Sequence, residues 1–225
     1  LYRYLIDNFN SVDITFDYFT RDIRPFIWHN FYQPNEYFLV TPKFTSILDY
    51  KNINKKDIFN DHVLKNFSKT KRNEYRQASS SKLNIYEEIT KKDIYKLMHD
   101  TFKVQGLDAD KEYNLNTLID LLQSLKDKDI LKFFCTKNES EELYNFMAVS
   151  IINNSAQFLY SGRSSDSSNP FVGTFLHAEV IKRLLDKNIT HIDLEGINSP
   201  KRSFFKIGFG GKIKTYYNLK LKKLS

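Results

Sequence analysis

The sequence predicts an α/β protein in which helices cover both faces of a mixed sheet. From residue 83 onward, segments of strand and helix character alternate in a regular order. A strand AQFLYSG, a helix over 173–187 and a strand THIDLEG have the spacing of a parallel crossover. Hydrophobic residues make up 41% of the 225 residues, so the chain can bury a sizeable core.

Sequence patterns define each predicted element of this region in turn. KLNIYEEI is a strand, Thr90 caps a helix over 91–104, and a polar loop VQGLDADKE leads to a helix over 114–126. Three strands follow, joined by the polar turns NESEE and NN; they are ILKFFCT, LYNFMAVSII and AQFLYSG. After the crossover come a short helix over 200–208 and the last strand, KIKTYYNLKL.

The first 50 residues predict short aromatic-rich strands, of which EYFLV and FTSILDY are the clearest. Pro25, Pro34 and Pro42 are expected to break them. Asn54 is expected to cap a helix over 55–78. Its predicted buried stripe is Ile58, Val63, Phe67 and Tyr75, and its predicted basic face is Lys65, Lys69, Lys71, Arg72 and Arg76.

These patterns predict three parts. Residues 1–54 are interpreted as the end of a truncated module, 55–82 as a connecting basic helix, and 83–225 as a complete domain.

Bulk composition restricts the class of protein. No apolar run approaches the ~20 residues that a membrane span needs, and no signal peptide is visible. The chain begins at Leu1 rather than at a methionine, so residues upstream are expected. The single cysteine, Cys135, lies in an apolar strand and is expected to be a buried, inert thiol. These features favour the cytoplasm.

The net charge of +7 has two interpretations. Scattered lysines among acids are typical of a solvated surface, whereas a basic protein can also bind a nucleotide, a coenzyme or RNA.

Three stretches carry a resemblance to a known superfamily. They are RPFIWHNF with EYFLV and the basic KTKRNEYRQA; LYSGRSS with LHAEVIKRLLDKNITHIDLEG; and INSPKRSFFKIGFGG. Their order resembles the GNAT acyltransferases, and within them the Fem-like branch that includes peptidoglycan aminoacyltransferases. The resemblance implies a GNAT-like fold, with one complete module preceded by the end of another.

The segment after the AQFLYSG strand departs from the usual pattern. A typical GNAT coenzyme A site has a glycine-rich loop there, whereas this chain has GRSSDSSNPFVGT. The resemblance therefore leaves two donors open: an acyl-CoA as co-substrate, with no tightly bound cofactor, or an aminoacyl-tRNA as in the Fem-like branch.

Lys206 is the leading catalytic candidate because it matches the lysine of the Fem-like Phe-Lys motif. Its ammonium group can stabilise the oxyanion of acyl transfer or bind a phosphate, although a surface lysine is the default interpretation in so basic a tail. Asp193 and Glu195 alternate along THIDLEG and are expected on one face of the strand. Glu195 is the predicted base that takes the proton of the attacking amine, and a carboxylate bound to lysines or amides is the alternative.

His177, near the predicted start of the helix over 173–187 together with Glu179, is the second candidate base. A lone histidine there is more often structural. The sequence holds none of the spacings that indicate zinc, so no metal is predicted.

Further substrate-binding candidates cluster at the two predicted strand ends, Tyr160–Arg163 and 193–198, and just beyond the second. They are Tyr160, Arg163, Asn198, Ser199 and Arg202. Ser199 also suits a helix cap before Pro200.

Two other groups of residues have a structural and a functional interpretation. Trp28, His29 and Tyr32 could line an acceptor pocket, but clustered aromatics are more often core, and that interpretation is preferred. Arg72 and Arg76 could hold a phosphate or RNA, but a basic helix face is usually solvated.

Together these features predict an N-acyltransferase (EC class 2.3) that moves an acyl group from an acyl-CoA-type donor to an amine. By analogy with the family, the acceptor is an amino sugar or another cell-envelope precursor. The alternatives are a tRNA-dependent aminoacyltransferase and a catalytically silent domain that binds a partner. Four of the seven glycines, at 196, 208, 210 and 211, are expected to shape the turns around Lys206.

Overall fold

A computed structural model describes residues 1–225 except 21, 33–34, 52, 54–57, 108–113, 166–168 and 224–225. The described strands are β1 Asp13–Thr15, β2 Glu36–Asp49, β3 Asn84–Tyr86, β4 Leu131–Lys137, β5 Leu143–Ile152, β6 Ser155–Arg163, β7 His191–Asp193 and β8 Lys212–Lys223. The described helices are α1 Tyr2–Asn8, α2 Arg24–Ile27, α3 Leu64–Asn66, α4 Lys69–Ser79, α5 Lys91–Val104, α6 Leu115–Asp127, α7 Val172–Asp186 and α8 Pro200–Ile207, with a π-helical turn Phe59–Val63 before α3.

The contacts divide the chain into two units. Unit 1 comprises Leu1–Ser46, Gly196–Ile207 and Lys212–Ser225, and unit 2 comprises Ile47–Glu195 and Gly208–Gly211. Strand β2 contributes residues to both. The boundaries predicted at residues 54 and 82 stay a prediction.

Unit 2 carries a mixed sheet. From the end of β2 the strands follow the order β2-β7-β6-β5-β4-β3. Among the strands that the structure describes in this unit, only β6 and β7 pair in parallel, and α7 joins them. Helices α5 and α6 pack on this sheet over a core of buried apolar side chains, which includes Ile94, Leu97, Ile119, Phe133 and Phe146. The predicted α/β fold with a parallel crossover is confirmed.

Several predicted elements of unit 2 agree closely with the structure. Thr90 caps α5, where its hydroxyl accepts from the amide of Asp93 at 3.1 Å. Asn114 caps α6 in the same way. The Asn-Asn turn joins β5 to β6, with Asn153 at φ 53°, a left-handed angle that asparagine tolerates. The predicted loop over 104–112 lies in part outside the described residues.

The predicted helix over 55–78 is wrong as a continuous element. Phe67 takes an extended conformation (ψ 145°), and Ser68 caps the new helix α4 by accepting from the amide of Lys71 at 3.2 Å. The amide of Ser68 donates to the carbonyl of Gly208 at 2.8 Å, so the break is bonded to the glycine-rich turn. A serine hydroxyl can replace the missing helical acceptor, which explains why the helix restarts here. The predicted Asn54 cap lies outside the described residues.

Unit 1 has a smaller core, in which Val12, Phe26, Phe38 and Leu219 are buried. Its strands follow the order β1-β8-β2. The predicted strands EYFLV and FTSILDY form one strand, β2, that continues through Pro42. Proline has a φ near that of extended chain and lacks only the amide donor, so a strand tolerates it where that donor is not needed. Helices α1 and α2 lie where only strands were predicted.

Formal charge is divided unequally between the units. Unit 1 holds 12 Lys and Arg against 5 Asp and Glu, whereas unit 2 holds 22 of each. The net charge of +7 therefore resides in unit 1.

Candidate active site

The parallel ladder of β6 and β7 ends early. Ser155, Ala156 and Gln157 pair with His191, Ile192 and Asp193, and the pairing stops there although β6 continues to Arg163. A bulge at Leu159 interrupts the register with β5 at the same level. In an open α/β sheet, the carboxyl ends of parting parallel strands are the usual place for a ligand. This ladder end is the candidate site of unit 2.

The backbone turns sharply just after β7. Glu195 has φ 62°, in the left-handed region, and its amide donates to Oδ1 of Asp193 at 2.7 Å. The predicted strand THIDLEG is therefore too long, and the alternation that placed Asp193 and Glu195 on one face does not apply. A non-glycine residue in this region costs about 1 kcal/mol, and such strain is concentrated at functional sites. Asp193 fixes the position of Glu195 through this bond.

Tyr160 and Arg163 lie on the part of β6 beyond the ladder. The Tyr160 side chain is 41% exposed, and Arg163 is also exposed. The amide of Arg163 donates to the hydroxyl of Thr101 on α5 at 2.8 Å. Gly162 lies between Tyr160 and Arg163 in β6 and packs closely against α5. A Cβ added at Gly162 would come 2.8 Å from the backbone of Leu97. Helix α5 therefore fixes this end of β6.

His177 lies in the second turn of α7 and is 7% exposed. Its Nδ1 donates to the carbonyl of Gly173 at 2.8 Å, because a carbonyl oxygen only accepts. Its ring stacks on Phe209 at 5.3 Å and meets Phe158 edge-on at 5.5 Å. These contacts hold the imidazole in one orientation within the packed interior.

The structure shows a buried polar cluster close to His177 that the sequence did not predict. Lys71 is 7% exposed, and its Nζ donates to Glu74 at 2.6 Å and to the hydroxyl of Thr174 at 3.1 Å. That hydroxyl in turn donates to Glu74 at 2.6 Å. Lys71 also lies 5.7 Å from the ring centroid of Phe209. Lys71 was predicted to lie on a basic helix face, but the Gly208–Gly211 turn packs over it and buries it. No local sequence pattern indicates this burial, because the turn is distant in the chain.

Helices α4 and α7, which carry this cluster, make a second polar contact. The hydroxyl of Tyr75 donates to Glu179 at 2.5 Å, and burial together with this carboxylate raises the pKa of Tyr75 well above its usual value. Glu179 is thus engaged within unit 2. The guanidinium of Arg72 donates to the carbonyls of Lys65 and Phe67, so this residue closes the end of α3.

The remaining predicted site residues lie in unit 1. Asn198 is fixed by two bonds, since its side chain accepts from the amide of Phe44 at 2.7 Å and donates to the Tyr216 hydroxyl at 3.2 Å. Helix α8 begins at Pro200, as predicted, and the Ser199 hydroxyl accepts from Nε of Arg202 at 3.2 Å. Lys206 lies in the last turn of α8 and is half-buried.

Trp28, His29 and Tyr32, the three candidates for an acceptor pocket, separate into two groups. Trp28 and Tyr32 are 58% and 92% exposed, so their interpretation as core is wrong. His29 has an 8% exposed side chain and bonds the Tyr2 hydroxyl at 2.6 Å and Glu36 at 2.9 Å. His29 thus anchors the segment, while its neighbours face solvent.

Among the described residues, no cluster of His, Cys, Asp and Glu is suited to hold a metal ion. None of the described helices has both the length and the apolar character needed to cross a bilayer. Cys135 is fully buried, as predicted, and burial raises the pKa of its thiol to about 11.

Solved structures similar to this chain agree on one fold. FemX aligns with a TM-score of 0.61 and 11% identity over 77% of this chain. L-PGS from Bacillus licheniformis has a TM-score of 0.56 and 12% identity over 88% of it. A tandem GNAT protein from the clavulanic acid biosynthesis pathway has a TM-score of 0.56 and 10% identity over 95% of it. The chain has the GNAT and Fem-like acyltransferase fold.

The three similar structures are longer than this chain. The alignments cover 61%, 64% and 63% of their lengths, which is less than two thirds in each case. No protein-family model matches the sequence, and no curated protein matches it. At identities of 10–12% the likeness concerns the fold alone.

Proposed function

We propose that this protein is an N-acyltransferase that binds an activated acyl donor of the acyl-CoA type at the end of the β6–β7 ladder. The observation that carries the proposal is the early end of that ladder, where β6 continues six residues beyond its last partner. Strand edges bind extended ligands through main-chain hydrogen bonds, and a donor with amide groups along its arm suits such an edge. The fold shared with acyltransferases supports the same reaction class.

In this proposal the residues of unit 2 have distinct roles. Tyr160 and Arg163 contact the donor, and Glu195 takes the proton from the acceptor amine, because only a neutral amine attacks the carbonyl. Asp193 is a positioning residue that holds Glu195 in its turn. The amine attacks the carbonyl carbon, the bond to the donor's sulfur or oxygen breaks, and the proton leaves through the base. No covalent enzyme intermediate is needed, so positioning supplies much of the rate.

Other predicted roles are retained as proposals. Lys206 as oxyanion-stabilising group and Asn198, Ser199 and Arg202 as substrate contacts remain predictions from the family resemblance. His177 remains the second candidate base, although its Nδ1 is committed to Gly173. The acceptor is proposed to be an amino sugar or another cell-envelope precursor, by analogy with the Fem-like family that the sequence resembles.

A second donor, aminoacyl-tRNA, is favoured by the charge of unit 1. An excess of seven positive charges in a unit of this size attracts a polyanion. The first turn of α7 is also unlike an open anion site, because the hydroxyl of Thr174 contacts the carboxylate of Glu74. This contact weighs against a coenzyme pyrophosphate bound at this helix terminus.

The two donors can be separated by thermal unfolding of the purified chain with coenzyme A, acetyl-CoA or bulk tRNA. A ligand at 100 times its dissociation constant adds about 2.7 kcal/mol to the free energy of unfolding. A shift with acetyl-CoA supports the thioester donor, and a salt-sensitive shift with tRNA supports the second donor. The absence of any shift would contradict both and favour a catalytically silent domain.

A matched pair of variants tests the base. Glu195→Gln is expected to lower turnover by about 100-fold while donor binding is retained, since loss of a general base costs at least that much. Glu139→Gln, an exposed carboxylate far along the chain, is expected to keep full activity. Unchanged turnover in Glu195→Gln would remove this residue from the mechanism.

A further inference from the structure

One short segment of unit 1 exposes an unusual amount of aromatic surface. Ile27, Trp28, Phe31 and Tyr32 are 47%, 58%, 65% and 92% exposed, although they fall within six consecutive residues. An open depression of about 590 Å³ is lined by Trp28, Asn30, Phe31 and Tyr32. Single exposed apolar residues are ordinary, whereas a contiguous group of this kind marks a binding surface. We call residues 27–32 the aromatic segment.

The aromatic segment is held by residues that point inward. Phe26, just before it, is 6% exposed and packs edge-on against Phe38 at 5.2 Å and Tyr2 at 5.5 Å. Within it, His29 bonds Tyr2 and Glu36. Buried anchors at these two positions therefore fix the backbone and keep Trp28 and Tyr32 exposed. The exposed rings therefore belong to an ordered, anchored segment and not to a poorly packed core.

The charges around the aromatic segment distinguish between possible partners. Arg24 lies 5.4 Å from the Trp28 ring centroid but is paired with Asp22 at 2.8 Å, and Lys223 is paired with Glu36 at 3.3 Å. A nucleic-acid site needs cations that reach phosphates beside the stacking rings, and these cations already have carboxylate partners. We therefore attribute to the net positive charge of unit 1 a long-range attraction rather than direct phosphate contacts beside the rings.

We propose that the aromatic segment inserts into the interface of a bilayer rich in anionic phospholipid, with unit 1 facing the membrane. Tryptophan and tyrosine combine an apolar ring with a polar group and are the residues that favour the headgroup region. Basic residues on the same unit add attraction to an anionic surface, which falls off within a Debye length. This proposal is independent of the reaction proposed above.

The chain offers a direct probe, because Trp28 is its only tryptophan. The intact protein is titrated with vesicles of phosphatidylglycerol and phosphatidylcholine in equal parts, and in parallel with pure phosphatidylcholine vesicles. We expect a blue shift of Trp28 emission of about 10 nm with the anionic vesicles and quenching by brominated lipid, because the indole leaves water. With pure phosphatidylcholine, binding is expected to be at least ten-fold weaker.

Vesicle co-sedimentation then tests the segment by substitution. The double variant Trp28→Ser with Tyr32→Ser is expected to lose binding by at least ten-fold. Leu121→Ser removes an apolar side chain of similar exposure (55%) from unit 2 and is expected to bind like the unmodified protein. Unfolding curves of both variants report whether they are folded.

Three results would overturn the proposal. They are an unchanged Trp28 spectrum with anionic vesicles, a shift that appears with RNA but not with vesicles, and a shift that depends on protein concentration alone. The second would assign the segment to nucleic acid and the third to a second copy of the chain. None of them bears on acyl transfer, which is measured separately by donor binding and turnover.

Discussion

Unit 1 and unit 2 differ in how they use polar and aromatic side chains. Unit 2 is electrically balanced, encloses a large apolar core and buries the ion pair of Lys71 and Glu74. Unit 1 carries the whole net charge, has a small core and exposes Trp28 and Tyr32 to solvent. This difference is the basis of our proposals that unit 2 holds the reacting groups in fixed geometry and that unit 1 contacts an anionic partner.

The sharpest test of this difference compares a glycine from each unit. Gly162→Ala places a Cβ 2.7–2.8 Å from Phe146 and from the backbone of Leu97, so we expect a loss of about 3 kcal/mol in the free energy of unfolding. Gly196→Ala in unit 1 meets only Asn198 Nδ2 at 3.5 Å and is expected to stay within about 0.5 kcal/mol. Urea unfolding measures both, and equal losses would contradict the contrast.

The second-largest expected change in the free energy of unfolding concerns the buried ion pair of Lys71 and Glu74. Lys71→Met leaves the Glu74 carboxylate without this cation in a largely dry site, so we expect a loss of about 2 kcal/mol. Adding Glu74→Leu should recover at least half of it, because the uncompensated charge is removed. Lys220→Met breaks the exposed pair with Asp13 in unit 1 and should cost less than about 0.5 kcal/mol. Equal losses at Lys71 and Lys220 would show that burial adds nothing.

Acid stability tests the anchor of the aromatic segment. The hydrogen bond from His29, together with Lys223, lowers the pKa of Glu36 below its usual value of 4.5. Glu36 therefore contributes stability above about pH 4.5, and this contribution is lost as the pH falls through the lowered pKa. Glu36→Gln should flatten the decline in unfolding free energy between pH 5 and pH 3, as followed by urea unfolding at each pH. If Glu36→Gln leaves this slope unchanged, Glu36 does not contribute to the loss of stability in acid.

The smallest expected effect concerns the turn after β7. Glu195→Gly relieves the left-handed backbone and should raise the free energy of unfolding by about 0.5 kcal/mol, because glycine adopts this φ without steric cost. The same variant removes the proposed base, so turnover should fall. A simultaneous gain of stability and loss of activity is the signature of a strained functional residue. A loss of stability would mean that the Glu195 side chain has a structural role.

Local signals predicted most of the elements of unit 2. The Thr90 cap, the Asn-Asn turn and the crossover from β6 to β7 each depend on residues close together in the chain, so periodicity and capping suffice. The burial of Lys71 could not be predicted, because it depends on the distant turn at Gly208 and Phe209. The exposure of Trp28 was missed because a general tendency of aromatic residues was applied to it. Aromatic residues cluster in cores on average, and only the inward anchors Phe26 and His29 show that Trp28 faces solvent.

The same limit applies to the candidate site. The sequence placed Tyr160, Arg163 and Glu195 at strand ends, but it did not show that the ladder stops at Asp193 or that Glu195 is left-handed. Both features follow from how far two strands pair, which no local pattern encodes.

Hydrogen exchange with a bound donor tests the central claim most directly. The amides of 158–163 and 192–195 are followed in the free protein, with saturating acetyl-CoA, and with aminoacyl-tRNA. Donor binding at the ladder end predicts slower exchange in these two segments with one of the donors, and no change in β4 or β5. A donor that binds without protecting either segment would contradict the proposed site.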